Sequence, residues 1–162
     1  MSDAERMFNL FRGNMAGHGT YAKEEKTPGK LKSEIKRTAK TVREPPSVAL
    51  WEQHLAGERP LGIIPICGDG MCWWGVIDVD RYDLTHADIV KKLEKLRLPL
   101  VVCRSKSGGA HLFLFLSEPV PAASLIAKLR ELAAVLGFGG CEIFTKQTEV
   151  LEERLAGRNV VT

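Results

Sequence analysis

Apolar positions fall on every second residue in some stretches of the chain and on every third or fourth in others. These two periods separate strands from helices. Cys72 to Asp80, Leu98 to Cys103, Ala110 to Leu116 and the short run Cys141 to Phe144 carry the strand pattern. Between them, Ile89, Leu93 and Leu96 follow Thr85 at helical spacing, and Leu125, Ile126, Leu129, Leu132 and Leu136 run from Pro121 to Gly137. Thr85 is a good N-cap, proline suits the opening of a helix and glycine its end. The order from Cys72 onward is therefore β-α-β-β-α-β.

That order predicts an α+β fold with a ferredoxin-like core, of the kind also seen in RNA-recognition motifs. It is a split βαβ unit with an antiparallel sheet and both helices on one face. The first and third strands are then central neighbours, and the second face is free for a ligand. Upstream, Ser2 caps a helix bearing Met7, Leu10 and Phe11, and Ser47 caps a short one bearing Leu50, Trp51 and Leu55. Leu61 to Cys67 reads as a strand that turns through Gly68-Asp69-Gly70 into Cys72 to Asp80, a β-hairpin extension of the core. The whole chain, residues 1–162, is expected to form one domain, with a basic helical extension over 1–60 and the core over 61–150.

Bulk properties narrow the class. Hydrophobic residues at 44% and charged ones at 27% suit a globular protein with a real core. No apolar run approaches the roughly 20 residues that span a membrane, and Met1-Ser2-Asp3-Ala4-Glu5-Arg6 lacks a signal peptide's order. A cytoplasmic location with no membrane partner is the simplest reading. Cys67, Cys72, Cys103 and Cys141 lack zinc-site spacing, so no structural zinc is expected. Residues 1–44 hold ten Lys/Arg against six Asp/Glu, an excess centred on Lys23, Lys26, Lys30, Lys32, Lys36, Arg37, Lys40 and Arg43. Such a segment suits either phosphate-backbone contact or a solvated arm, and composition does not choose between them.

The chemistry lies at two strand ends. Asp78 and Asp80 follow Val76-Ile77 at i and i+2, so alternation puts both on one face, about 6.6 Å apart. At an effective dielectric of about 20 they repel by roughly 2.5 kcal/mol. A compensating cation is needed, and hard oxygen ligands suit Mg²⁺ or Mn²⁺. Ser105, Ser107, Gly108 and Gly109 can turn backbone N–H groups toward a phosphate, Arg104 and Lys106 add positive charge, and His111 enters the next strand. Glu142 lies on the last strand, within reach of the same face. Acidic pair, Ser/Gly turn and histidine together point to metal-assisted chemistry on a nucleoside triphosphate.

These residues resemble the archaeo-eukaryotic primase superfamily, particularly the primase–polymerase domains of phages, plasmids and other mobile elements. Val76-Ile77-Asp78-Val79-Asp80 is similar to its first motif, Ser105-Lys106-Ser107-Gly108-Gly109-Ala110-His111 to its second, and Glu142 within Cys141-Glu142-Ile143-Phe144 to its third. Trp51 to Gly57 and Leu61 to Pro65 resemble the approach to the first motif. The resemblance spans roughly residues 48–150. It implies two-metal nucleotidyl transfer from a nucleoside triphosphate onto a primer on single-stranded DNA, with Asp78, Asp80 and Glu142 as ligands of two Mg²⁺ or Mn²⁺ ions. It also implies that His111, Ser105, Ser107 and the glycine amides contact the triphosphate, with Arg104, Lys106 and Lys146 as phosphate neighbours.

The chain departs from the strict pattern in two places. Gly109 stands where the stricter form has Ser, and the chain ends Gly157-Arg158-Asn159-Val160-Val161-Thr162, where relatives commonly continue. A minimal domain and a piece of a longer replication protein are both consistent with that end, and the basic segment could dock a partner such as a helicase. The rival reading is a non-catalytic nucleic-acid-binding module or a degenerate primase-like scaffold. A rolling-circle nicking enzyme is disfavoured, because there is no His-x-His and Tyr21 and Tyr82 fall outside predicted helices.

Overall fold

The computed structural model describes residues 1–21 and 39–148. Lys23, Lys26, Lys30, Lys32, Lys36 and Arg37 of the basic segment, and the last residues from 149 on, lie outside the described residues. The chain divides into one unit that includes Met1–Ile64 and a second over Pro65–Val150.

In the first unit, helix α1 (Asp3–Leu10) starts in a full capping box. Ser2 Oγ accepts the Glu5 amide at 3.2 Å, and the Glu5 carboxylate accepts the Ser2 amide. Two four-residue strands follow, β1 (His18–Tyr21) and β2 (Ala39–Val42), paired antiparallel from His18↔Val42 to Tyr21↔Ala39. Helix α2 (Val48–Leu55) begins at Ser47, whose Oγ accepts the Leu50 amide at 3.3 Å. Phe11 after α1 and Trp51 of α2 bring their rings to 5.5 Å, which anchors the unit.

The expected strand from Leu61 to Cys67 is reduced to isolated bridge residues at Gly62, Ile63 and Ile66. Gly62 exchanges backbone hydrogen bonds with Gly19 at 2.8 and 2.9 Å, and Ile66 bridges Cys72. Pro60 and Pro65 lack the N–H groups that a continuous ladder requires. The turn beyond forms as expected. Cys67 and Met71 close it at 2.8 Å, and Asp69 Oδ1 accepts the Met71 amide at 3.0 Å.

The second unit is a four-stranded antiparallel sheet with two helices. Its elements are β3 (Met71–Val79), α3 (His86–Leu96), β4 (Leu100–Arg104), β5 (Ala110–Pro121), α4 (Ala122–Leu136) and β6 (Glu142–Phe144). Strand order is β4-β5-β3-β6, so the first and third strands of the core are central neighbours, as the hydrophobic pattern requires. β5 runs past its expected end to Pro121, and its register against β3 shifts between Cys72 and Trp74.

Both helices cover the same side. A Cβ on Gly75 would sit 2.7 and 3.0 Å from the Leu129 and Leu125 methyl groups of α4, so the helix packs directly against the strand there. Lys92 of α3 donates to the Leu136 carbonyl of α4 at 3.0 Å. Gly75, Ile77 and Val79 therefore face the helices together with Leu112, Leu114, Val102 and Ile143, their register partners. Val76 and Trp74 point the other way and are buried as well, whereas Val101, in the same row as Val76 on β4, is exposed. Among the described residues no helix is long and apolar enough to cross a membrane.

Candidate active site

Strand register gathers the chemistry into one row. Asp78 of β3 is opposite His111 of β5 on one side and Glu142 of β6 on the other, while His111 is opposite Cys103 of β4. Cys103, His111, Asp78 and Glu142 thus cross all four strands on the face turned away from the helices. Direct cross-strand neighbours have Cβ atoms about 4.5–5.5 Å apart, close enough to share a ligand.

The centre of the row is the least exposed part. Asp78 and His111 side chains are 19% and 17% exposed, and His111 Nε2 lies 3.3 Å from Asp78 Oδ1. The two atoms are near enough to attract but not aligned for a hydrogen bond. Asp78 Oδ1 is consequently buried with no hydrogen bond among the described residues. His111 also stands edge-on to Phe113 at 5.9 Å, which fixes its ring plane. Glu142 is more open at 60% exposure, and Lys146 Nζ donates to its Oε2 at 3.0 Å. That ammonium also sits 4.5 Å from the Phe144 ring centroid. A cavity of about 320 Å³ opens beside Glu142 and Lys146, lined also by Arg130 and Thr145.

Asp80 is exposed, one residue past the end of β3. Its field and that of Asp78 both reach the Cys141 thiol, which burial pushes up, Arg81 pulls down and the two acids push up again. Among the described residues no three His, Cys, Asp or Glu side chains stand close enough to form a ready cation cage. The donor chemistry still fits a hard cation at one point: a buried carboxylate oxygen without a donor, beside a second carboxylate in the same row.

The Ser/Gly turn closes β4 onto β5. Gly108 N donates to Ser105 O at 3.0 Å, Ser105 N donates to Gly109 O at 2.9 Å, and Gly108 has φ +99°. This is a three-residue loop with glycine at its left-handed corner. Ser105 is buried, with its Oγ 3.2 Å from Ser107 Oγ. The Gly108 amide is committed inside the turn, whereas those of Lys106 and Ser107 make no hydrogen bond among the described residues. Gly109 lies against β3, where a Cβ would fall 2.3 Å from the Val79 carbonyl oxygen. The turn thus abuts the strand end where Asp78 and Asp80 leave the sheet.

Arg104 is placed differently from its neighbours. It pairs with Ala110, whose register partner is Val79, so it belongs to the helix side and not to the row. His18 is buried with Nδ1 2.8 Å from the Glu44 carbonyl, while its Nε2 makes no hydrogen bond among the described residues, and His54 lies against Trp51. The residue missed by sequence reasoning is His86, whose Nε2 lies 2.9 Å from the Gly109 carbonyl oxygen. Nothing local signals that contact, because its partner is 23 positions away.

An antiparallel α+β sheet with paired carboxylates at one strand end and a Ser/Gly turn beside them defines a primase-like nucleotidyltransferase scaffold. The chain belongs to the archaeo-eukaryotic primase domain family of the TOTE conflict system, whose model matches residues 12–136. That span includes Asp78, Asp80, the turn and His111, and it ends before Glu142 and Lys146. The resemblance to primases of mobile elements is thereby borne out. A search of curated proteins finds no match to the chain.

Proposed function

We propose that the chain is a metal-dependent nucleotidyltransferase of the primase–polymerase type, adding nucleotides from a nucleoside triphosphate to a primer on single-stranded DNA. The observation that carries this reading is the buried Asp78 Oδ1, which accepts no hydrogen bond among the described residues and has only the His111 ring nitrogen at 3.3 Å, in a row with Glu142 and beside the turn. An unsatisfied buried acceptor costs about 1–3 kcal/mol, more when charged, and a cation at that point removes the penalty. Asp78, Asp80 and Glu142 would hold Mg²⁺ or Mn²⁺, two ions in the family pattern, and such ions neutralise a polyphosphate and acidify an attacking hydroxyl.

The chain's own groups act around them. His111 binds a phosphate oxygen through the ring nitrogen that now faces Asp78. The Lys106 and Ser107 amides, with the two serine hydroxyls, orient the triphosphate tail. Lys146 exchanges Glu142 for phosphate once that carboxylate is engaged. Arg104 contributes positive charge from the far side of the sheet end and does not reach into the row.

The test is incorporation of labelled nucleotide on primed and unprimed single-stranded DNA with Mg²⁺ or Mn²⁺. Asp78→Ala with Asp80→Ala abolishes it while the fold is retained. A double variant that incorporates as well as the parent removes these acids from the chemistry.

A second reading draws on the close contacts within the row. Lys146 and His111 already stand against Glu142 and Asp78, which suits a degenerate, non-catalytic scaffold that binds nucleic acid. That protein would bind oligonucleotide with a steep salt dependence and no response to divalent ions.

A further inference from the structure

We infer that His86 is a positioning residue for the turn that holds the triphosphate, an inference that rests on the nucleotidyl-transfer reading of that turn. His86 is the first residue of α3 and is half-buried. A carbonyl oxygen only accepts, so at 2.9 Å His86 Nε2 carries the proton and donates to Gly109 O. The bond is not a by-product of helix capping, because Thr85 at the N-cap makes no side-chain cap bond.

Gly109 O therefore accepts twice, from His86 Nε2 and from the Ser105 amide at 2.9 Å. Across the same residue there is no slack, since the Val79 carbonyl would lie 2.3 Å from a Cβ on Gly109. Gly109 is held between the start of α3 and the end of β3. Its carbonyl fixes how far the Lys106 and Ser107 amides stand from Asp78 and Asp80. His86 itself belongs to neither the acidic row nor the turn. Its imidazole acts only through Gly109.

The test uses the full chain with His86→Phe, His86→Ala and His86→Gln. Phenylalanine keeps ring volume without a donor, and glutamine restores an N–H near the position of Nε2. Two quantities are read: hydrogen exchange of the Ser105 amide in the free protein, and dATP–Mg²⁺ affinity by calorimetry. The Phe and Ala variants are expected to speed Ser105 exchange and weaken dATP about three- to tenfold, the range of one lost hydrogen bond. The Gln variant returns both to within about twofold. Wild-type exchange and affinity in His86→Phe overturn the inference, and so does an equal loss in all three variants. Should His86→Phe fail to fold, the Ala and Gln pair decides alone. Parent protein that binds no dATP overturns the nucleotide reading of the turn, while Ser105 exchange judges the His86 contact separately.

Discussion

Replacing Gly109 by alanine puts a methyl group where the Val79 carbonyl oxygen is 2.3 Å away, with Ser105 Oγ at 3.2 Å. Relief to ordinary contact needs the turn to move from β3 by about 1 Å, because the obstacle is backbone and not a flexible side chain. That displacement stretches both bonds to Gly109 O, from Ser105 N and His86 Nε2, now at 2.9 Å each. At about 0.5–1.5 kcal/mol per bond, with the overpacking, Gly109→Ala should cost about 2–3 kcal/mol. For a chain of this length that is a fall in Tm of about 5–10 °C. Gly108→Ala meets open space but must adopt φ +99°, and should cost about 1–2 kcal/mol. Gly140→Ala has neither obstacle and should melt with the parent or slightly above it. Thermal unfolding by circular dichroism ranks the three. A Gly109→Ala variant that melts within about 1 °C of the parent refutes the argument from close approach.

Cys72 is fully buried, and its thiol is pushed up to about 12, from 9.0, by desolvation first and then by Cys67 and Asp69. The folded protein then holds a proton that the unfolded chain releases above pH 9. Stability should fall between about pH 9 and 12, by at most about 1.4 kcal/mol per pH unit for this group, and Cys72→Ala should flatten the slope in urea titrations. With a thiol reagent at pH 8, exposed Cys103 should react in the native protein and Cys72 only after unfolding, as mass mapping would show. Lys146→Ala removes an exposed partner of Glu142, so it should change stability by less than about 1 kcal/mol. The same change should weaken triphosphate binding severalfold, and an unaltered affinity would separate Lys146 from the phosphate.

The second unit was legible because its strands and helices keep separate periods. β3, β5 and α4 alternate or recur cleanly from Met71 to Leu136, and the split order follows from them alone. The row also follows: the short turn at Ser105 to Gly109 sets Cys103 against His111, and strand order then sets Asp78 between His111 and Glu142. β1 and β2 escaped notice, since His-Gly-Thr-Tyr and Ala-Lys-Thr-Val offer four residues each and no apolar alternation. Leu61 to Cys67 misled for the opposite reason: its apolar run is strand-like, but Pro65 within it and Pro60 just before it withhold ladder donors. Arg104 adjoins the turn in sequence, and one-residue alternation sets it on the face opposite the row. His86 could be found only in three dimensions.

The central claim is that carboxylates from neighbouring strands receive a divalent ion beside a polyphosphate cradle. Electron paramagnetic resonance of Mn²⁺, titrated into the protein with and without dATP, tests it most directly. The account predicts bound Mn²⁺ whose affinity rises with dATP and drops at least tenfold in Asp78→Asn, with the fold intact. Equal Mn²⁺ binding by the parent and Asp78→Asn, with no response to dATP, would contradict it.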